Sequence, residues 1–208
     1  ISEDGKKALK VIYTPLHGTG RVPTMQVLTR RGFNVEIVPQ QAEPNGDFPT
    51  VRIPNPEDRK ALELGIKLAT ERDADLVIGA DPDSDRAGVA VKTAEGYALI
   101  SGNQMGALLA NYAVSKRKTQ GKAAIVKTIV TTEMIASIAR KFNVPYFDCY
   151  TGFKWIAAVM RENEGKMQYI GGGEESYGFL AEDFVRDKDA VSACVLIAEV
   201  AAWAKDNG

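Results

Sequence analysis

Short apolar runs alternate with amphipathic stretches along the first hundred residues. Three segments have the length and pattern of strands: residues 9–13, 33–37 and 75–80. Two helical segments separate them: residues 23–32, bracketed by Pro23 and Gly32, and residues 55–71, which begin with Asn55-Pro56. Strands and helices in alternation predict an α/β layer with a largely parallel core.

The same alternation returns after a turn at residues 94–96. It predicts strands at residues 123–130, 144–150 and 167–170, helices at residues 103–115, 131–142 and 189–205, and a turn at 151–154 that leads into another helix. The last helix is apolar nearly all round, so we expect it to be deeply packed. The predicted fold class is α/β, with two tandem domains, residues 1–98 and 99–208, each a small mixed, largely parallel sheet between helices.

Composition and charge narrow the class of protein. The 208 residues carry a formal net charge of −1, so no global basic field would recruit nucleic acid or an anionic membrane. No apolar run reaches the roughly 20 residues of a membrane helix. Cys149 and Cys194 have no metal-ligand spacing, and we predict free core thiols in a cytoplasmic protein. Because the chain starts without Met, we expect it to be a piece of a longer protein.

The candidate chemistry centres on Asp81-Pro82-Asp83-Ser84-Asp85-Arg86, directly after the apolar run 75–80. Two charges about 4 Å apart repel by roughly 1 kcal/mol in water and roughly 4 kcal/mol at an effective dielectric of 20. A hard divalent cation relieves that repulsion among the three carboxylates, and oxygen-only ligands suit Mg²⁺ or Ca²⁺. Arg86 could hold a phosphate beside the cation with its planar guanidinium. The sequence therefore predicts a metal-and-phosphate site.

Three other interpretations of this loop compete with that prediction. An EF-hand would need Gly at its sixth and Glu at its twelfth position, where this chain has Arg86 and Lys92. Asp81-x-Asp83 resembles the loop of haloacid-dehalogenase-like phosphatases, but the fifth position there is usually Thr or Val, and here it is Asp85. A solvated acidic turn is the third alternative, and Arg86 and the flanking strand patterns count against it.

A glycine-rich loop, residues 14–21, follows the first strand. Such a loop could present backbone N–H groups to an anion at the start of the next helix. It contains His17, the single histidine of the chain. A lone loop histidine is more often structural, and contact with the active site is the alternative. This loop and Asp81 both follow predicted strands, and α/β sheets bind ligands beyond the carboxyl ends of their strands.

The segment from Gly171 to Gly178 is a second candidate binding loop. Three consecutive glycines let a backbone approach a ligand closely. Glu174, Glu175 and Ser176 follow them and offer acceptors and a donor that suit the hydroxyls of a sugar. A flexible surface turn with incidental acidic residues is the alternative.

Four motifs together carry a family resemblance. They are Asp81-Pro-Asp-Ser-Asp-Arg86, Thr151-Gly-Phe-Lys154, Gly173-Glu-Glu-Ser-Tyr-Gly178 and Arg186-Asp-Lys-Asp189. In this order and spacing the chain resembles the α-D-phosphohexomutases, the phosphoglucomutase/phosphomannomutase family, over essentially its whole length. The segment 13–20 is similar to the phosphoglucomutase-type bacterial branch. The resemblance implies a four-domain enzyme that moves a phosphate between C1 and C6 of a hexose through a phosphoserine and a sugar bisphosphate.

The resemblance also implies roles for individual residues. Mg²⁺ would be held by Asp81, Asp83 and Asp85, and Arg86 would lie beside the transferring phosphate. The sugar would be contacted by Thr151, Gly152, Lys154, Glu174 and Ser176. Lys188 matches a lysine proposed for proton transfer in some members, although the interval between Ser176 and Lys188 is one residue longer here than in the family. The implied cofactors are Mg²⁺ and a glucose 1,6-bisphosphate-type intermediate.

Two family motifs are absent from this chain. The serine loop, of pattern Thr-Ala-Ser-His-Asn-Pro, and the phosphate-binding loop of the last domain, Arg-Ser/Gly-Gly-Thr-Glu-Pro, do not occur. The chain thus resembles domains II and III only, and its implied partners are a sugar phosphate and the missing first and fourth domains. We expect the parent protein to be a mutase and the isolated chain to be inactive. A metal- and ligand-binding module without catalysis is the alternative.

Overall fold

The computed structural model describes residues 1–116 and 122–207. The chain forms two compact units, the first made of Ile1–Ile100 and Ala190–Gly208 and the second of Ser101–Asp189. One sheet lies in each unit, and both sheets mix parallel with antiparallel strands. The predicted α/β class, with two small mixed sheets flanked by helices, is confirmed.

The described part of the chain contains nine β-strands and seven α-helices. The strands are β1 (Lys10–Thr14), β2 (Asn34–Ile37), β3 (Leu76–Ala80), β4 (Ala87–Thr93), β5 (Gly96–Ile100), β6 (Ala123–Thr128), β7 (Tyr146–Cys149), β8 (Gln168–Gly173) and β9 (Phe179–Leu180). The α-helices are α1 (Glu3–Ala8), α2 (Arg21–Arg30), α3 (Glu63–Arg72), α4 (Gly102–Lys116), α5 (Glu133–Lys141), α6 (Phe153–Glu162) and α7 (Ala190–Asn207).

The sheet of the first unit has the order β2-β1-β3-β4-β5. β1 lies between β2 and β3 and pairs in parallel with both, while β4 pairs antiparallel with β3 and forms an antiparallel hairpin with β5. The register sets Thr14, the last residue of β1, opposite Gly79 near the end of β3. The loops that follow β1 and β3 therefore leave the sheet at the same edge and side by side.

The core of this unit lies on both faces of its sheet. Ile12 and Val77 point to the face covered by α3, where they pack with Ala69. Gly65 of α3 has no room for a side chain, because an added Cβ would lie 2.8 Å from Val77 Cγ1. Side chains alternate along a strand, so the neighbours of Ile12 and Val77 face the opposite side. That side is packed by α7, which also contacts α1 and α2.

The last helix, α7, belongs by its contacts to the first unit rather than to residues 99–208. The backbone N–H of Ser2 donates to Asp206 Oδ2 at 2.8 Å, and Lys205 Nζ donates to the Asp75 carboxylate at 2.8 Å. The physical reason is that α7 covers the face of β3 and β4 that α3 leaves open. Its apolar side is buried there, as its sequence predicted.

The start of α3 differs from the sequence prediction. Residues 55–62 form successive turns with N–H to C=O bonds across three residues, and the helix begins at Glu63. The Asn55 and Asp58 side chains accept hydrogen bonds from the N–H groups two residues ahead, which stabilises turns as readily as a helix start. Pro56 packs so closely on β4 that a Cβ at Gly88 would lie 2.3 Å from the Pro56 carbonyl oxygen. This contact holds the segment in turns.

The sheet of the second unit has the order β7-β6-β8-β9, with β6 between two parallel partners. On one face Ile125 packs with α4 and α5, and on the other Val126 packs with Phe153 and Ile156 of α6. β9 is a two-residue strand that pairs antiparallel with the end of β8 and was not predicted. No helix in the described part of the chain has both the length and the apolarity to cross a bilayer.

Candidate functional site

The loop after β3 is wound around the carboxylate of Asp81. Asp81 Oδ1 accepts hydrogen bonds from the backbone N–H groups of Asp85 (3.0 Å) and Arg86 (2.9 Å). The Ser84 N–H closes a turn on the Asp81 carbonyl oxygen at 3.0 Å, and Ser84 itself takes a left-handed conformation with φ 60°. These bonds use Oδ1 and leave Oδ2 of Asp81 for another ligand.

The three predicted metal ligands converge in this loop. Asp81, Asp83 and Asp85 each offer a carboxylate oxygen, and these oxygens lie within 4.8 Å of one another. Oxygens bound to a six-coordinate Mg²⁺ are separated by about 3 Å when adjacent and about 4.2 Å when opposite. Small side-chain rotations would therefore bring the three onto one ion. Hard, anionic oxygens are the ligands that Mg²⁺ and Ca²⁺ prefer, so the residues fit the implied metal.

The electrostatics of the loop reflect the crowding of its carboxylates. Burial, followed by the negative charges of Asp85 and Asp83, raises the pKa of Asp81 to about 7, although the Arg86 and Asp85 N–H groups oppose the shift. A carboxyl with such a pKa is unstable as an isolated anion and gains from a nearby positive charge. A cation bound here would supply that charge.

Arg86 is the last residue of the loop after β3 and directly precedes β4. Its Nε lies 3.8 Å from Asp85 Oδ1 and its Nη1 lies 3.7 Å from Glu57 Oε1, both too far for a hydrogen bond. Nε is buried and has no hydrogen-bond partner within the described residues. The guanidinium thus lies beside the carboxylates without a hydrogen bond to Asp85 or Glu57.

The glycine-rich loop after β1 packs directly on residues 81–86, the loop that carries the predicted metal ligands and is called the metal loop below. Both the N–H and the hydroxyl of Thr19 donate to the Pro82 carbonyl oxygen, at 2.8 and 3.1 Å. A Cβ at Gly18 would lie 2.3 Å from Pro82 Cα. His17, in contrast, turns inward: its side chain is buried and both ring nitrogens contact the segment 43–50. The expectation that the two loops lie at one sheet edge is confirmed. Of the two interpretations of His17, its buried environment agrees with the structural one.

In the second unit, Glu174 joins the two candidate sugar motifs. Its side chain is buried, and Oε1 accepts a hydrogen bond from the Gly152 N–H at 2.9 Å. Gly152 has φ 111°, a conformation that favours glycine. Thr151 and Lys154 flank it with exposed side chains, and Lys154 Nζ lies 5.6 Å from the centre of the Trp155 ring. Residues 151–154 and Glu174 therefore form one local site.

The glycines before Glu174 serve the sheet itself. The predicted strand 167–170 extends to Gly173, so Gly171–Gly173 lie within β8. A Cβ at Gly172 would lie 1.9 Å from the Val126 carbonyl oxygen, and a Cβ at Gly173 would lie 2.3 Å from that of Gly178. Close packing of neighbouring backbones thus requires these glycines, and the loop proper is Glu174 to Gly178.

Lys188 lies beside this loop although it is distant in sequence. A Cβ at Gly178 would lie 2.6 Å from Lys188 Cδ and 3.4 Å from Glu174 Oε2, so Lys188 and Glu174 flank the same glycine. Ser176, two residues before Gly178, is half-buried in the same loop. All the predicted sugar-contacting residues of the second unit therefore border one turn-rich surface at the end of its sheet.

A polar network beneath the loop was missed by the sequence prediction. Glu175 Oε2 accepts hydrogen bonds from the hydroxyls of Thr128 (3.3 Å) and Thr131 (3.2 Å) at the end of β6. Next to them Lys127, which is fully buried, pairs with Glu133 at 2.8 Å and with Asp148 at 2.7 Å. A lysine inside the apolar run of β6 was the sequence signal for this network.

Comparison with known proteins assigns both halves of the chain to one protein family. Residues 1–96 match the family model of phosphoglucomutase/phosphomannomutase α/β/α domain II, and residues 101–207 match that of domain III. A phosphoglucomutase from Staphylococcus epidermidis is 44% identical over 202 residues, which is 96% of this chain and 37% of the relative. The chain thus spans little more than a third of the length of that relative.

Solved structures agree on the fold. A phosphoglucomutase/phosphomannomutase family protein from Burkholderia thailandensis superposes with a TM-score of 0.78 at 21% identity, covering 94% of this chain and 40% of that one. The N-acetylphosphoglucosamine mutase of Aspergillus fumigatus, in complex with GlcNAc-6P and magnesium, gives 0.63 at 14% identity, covering 98% and 48%. Its S69A form, in complex with glucose 1,6-bisphosphate, gives 0.61 at 16% identity, covering 98% and 44%. The chain belongs to the phosphoglucomutase/phosphomannomutase family and carries its domains II and III.

Proposed function

We propose that this chain is the metal-binding and sugar-binding middle part of a phosphohexomutase that interconverts hexose 1-phosphate and hexose 6-phosphate. The reaction would run through a phosphoserine and a glucose 1,6-bisphosphate-type intermediate. The observation that carries the proposal is the convergence of three carboxylates within 4.8 Å, in the half of the chain that matches domain II. Phosphoryl transfer needs positioning and charge neutralisation more than covalent help, and these residues are suited to both.

In the first unit, Asp81, Asp83 and Asp85 would hold Mg²⁺. The bound ion would neutralise charge on the phosphoryl oxygens. Arg86 would contact the transferring phosphate, because its guanidinium lies beside the acidic loop and its Nε has no partner among the described residues. The magnesium in a complex of the A. fumigatus mutase supports this assignment.

In the second unit, Glu174 would accept hydrogen bonds from ring hydroxyls of the sugar while its Oε1 stays bound to the Gly152 N–H. Ser176 would add a hydroxyl from the same loop, and Thr151 and Lys154 would contact the sugar from the turn before α6. Lys188 would transfer a proton at a sugar hydroxyl, since its side chain lies against the same glycine as Glu174. A sugar phosphate is therefore the proposed ligand class of this unit.

The proposed partners are the first and fourth domains of the parent protein, which would supply the phosphoserine and the grip on the non-reacting phosphate. The match to 37% of the S. epidermidis relative supports this arrangement. We also propose a cytoplasmic location, because the half-buried Cys149 and the buried Cys194 are typical of core cysteines in a reducing compartment. Both family-model matches favour the mutase over the haloacid-dehalogenase-like phosphatase.

Calorimetric titration of the chain with MgCl₂ tests the metal assignment. We expect millimolar affinity, because three carboxylates fill only part of an octahedral shell. Asp83→Ala should abolish the binding heat, and the matched control Asp47→Ala, which removes an exposed loop carboxylate of the same unit, should leave it unchanged. Absence of binding to the unmodified chain would contradict the proposal. Tight, Ca²⁺-selective binding would indicate a dedicated calcium module instead.

A further inference from the structure

His17 is held in place by its backbone conformation and by contacts to both ring nitrogens. Its backbone is left-handed, with φ 61°, and its side chain is only 5% exposed. Nδ1 lies 3.2 Å from the carbonyl oxygen of Glu43, which can only accept, so Nδ1 carries the proton. Nε2 lies 2.8 Å from Thr50 Oγ1. Both ring nitrogens of His17 are therefore bonded within the protein.

The hydrogen bonds continue from Thr50 back to the end of β1. Thr50 Oγ1 accepts from Gln41 Nε2 at 3.2 Å, and Gln41 Oε1 accepts from the Thr14 hydroxyl at 2.7 Å. Thr14 and Gln41 are both fully buried. This chain of bonds fixes the loop after β1 relative to residues 41–50.

The residues after His17 transmit this order to the metal loop. The two bonds from Thr19 to the Pro82 carbonyl oxygen, and the absence of space for a side chain at Gly18, set the position of Pro82. Pro82 stands between Asp81 and Asp83. The spacing of two metal ligands thus depends on a turn that His17 holds.

We propose that His17 is a positioning residue of the metal loop. The imidazole, bonded to Glu43 and Thr50, holds the left-handed turn that presses Gly18 and Thr19 against Pro82. His17 reaches no ligand itself, because both of its nitrogens are already bonded within the protein. The proposal rests on the proposed function of Asp81, Asp83 and Asp85 as metal ligands.

Two variants of His17 and a stability control test the positioning role. His17→Leu removes both side-chain bonds, whereas His17→Asn keeps an N–H donor for Glu43 and tolerates the left-handed backbone. Leu28→Ala removes a buried side chain of α2 outside the loop, and so destabilises the same unit for another reason. If His17→Leu does not fold, Thr50→Val leaves the imidazole in place and removes the bonds of Thr50 Oγ1 to His17 Nε2 and Gln41 Nε2.

Two readouts on the 208-residue chain separate positioning from general stability. By calorimetry with MgCl₂, His17→Leu should bind at least fivefold more weakly, while His17→Asn and Leu28→Ala should stay within about twofold of the unmodified chain. By amide hydrogen exchange without metal, the N–H groups of Thr19, Asp85 and Arg86 should exchange at least tenfold faster in His17→Leu than in the unmodified chain. In Leu28→Ala, the exchange rates of these three N–H groups should change no more than those of the other residues of the unit.

The outcomes distinguish this inference from the proposed function. If His17→Leu and Thr50→Val leave both Mg²⁺ affinity and loop exchange unchanged, the positioning role is overturned and the metal site stands. Equal loss in Leu28→Ala would also overturn it, because a merely structural role would then explain the effect. If the unmodified chain binds no Mg²⁺, the proposed function fails, and hydrogen exchange still decides whether His17 orders the loop.

Discussion

Glu174 Oε1 accepts a hydrogen bond from the backbone N–H of Gly152 at 2.9 Å and so joins two motifs that lie 22 residues apart. One oxygen of the carboxylate orders the turn before α6, and the other points to the side of Gly178 where Lys188 lies. Glu174 is therefore a structural residue of this loop as well as a proposed sugar ligand. Its substitution should affect both properties.

In the full-length parent, Glu174→Ala should reduce kcat/KM by roughly 10- to 150-fold, because each lost hydrogen bond to a charged group costs about 1.5–3 kcal/mol. The phosphoserine should be unaffected in mass spectra. Glu174→Gln retains an acceptor for the Gly152 N–H and should lose less. Glu162→Ala, an exposed residue at the end of α6, is the control. Unchanged catalytic efficiency in Glu174→Ala would remove the sugar assignment.

Lys127→Met should lower the free energy of unfolding of the second unit by about 1–3 kcal/mol. Removing one member of a buried ion pair costs more, about 3–5 kcal/mol, but Glu133 and Asp148 remain 71% and 40% exposed and can be rehydrated. Urea unfolding followed by circular dichroism measures the loss. Lys166→Met, at an exposed position of the same unit, should change stability by less than about 0.5 kcal/mol.

The ion pairs of Lys127 also determine how the stability difference between the unmodified chain and Lys127→Met depends on pH. Burial alone would lower the pKa of Lys127, but the hydrogen bonds to Asp148 and Glu133 raise it overall. A raised lysine pKa contributes stability that is fully present below the pKa of the unfolded lysine, near 10.4, and is lost only as pH rises through the folded value. The gap between the unmodified chain and Lys127→Met should therefore be constant from pH 7 to about pH 9. A gap that closes within this range would contradict the ion-pair account.

Cys149 should react slowly with iodoacetamide. Burial, and then the charges of Glu174 and Asp148, raise the pKa of its thiol to about 11. At pH 8 its thiolate fraction is about 100-fold below that of an ordinary cysteine, and the higher intrinsic nucleophilicity recovers only part of this loss. We expect alkylation at least tenfold slower than in the urea-unfolded chain, measured by peptide mass mapping. Equal rates would show that the thiol is not shielded.

The isolated chain should fold and yet have no mutase activity. Phosphoryl transfer requires a donor held in line with its acceptor, and a displacement of about 1 Å can cost on the order of 100-fold. The donor serine loop is not in this sequence. A coupled assay with glucose 1-phosphate, glucose 1,6-bisphosphate and Mg²⁺ should read as blank. Turnover that Asp81→Asn abolishes would contradict this prediction, whereas turnover that survives the substitution would come from a contaminant.

The strands and the metal loop could be predicted because their signals are local. Asp81, Asp83 and Asp85 stand at alternate positions after an apolar run, so their convergence follows from one loop. The start of α3 could not be predicted, since Asn55-Pro56 favours a turn and a helix equally and the contact of Pro56 with Gly88 decides between them. The burial of α7 could be predicted from its apolar composition, but the sheet on which it packs could not.

The supporting contacts of the site depend on residues far apart in sequence. Nothing local links Thr19 to Pro82 or Glu175 to Thr131, since each pair meets only through the pairing of parallel strands. His17 shows the same limit, because its partners lie in an irregular connection whose path the sequence pattern does not define. The roles of the sugar-contacting residues remain predictions.

The assignment of α7 to the first unit has a consequence for synthesis of the chain on the ribosome. Residues 101–189 are translated before the helix that completes the layer over β3 and β4. At about 5–20 residues per second, the first unit waits roughly 4–18 s for this helix. During that interval the apolar face of β3 and β4 is open to chaperones, while the second unit, whose segments are all present by residue 189, can fold ahead of the unit that precedes it.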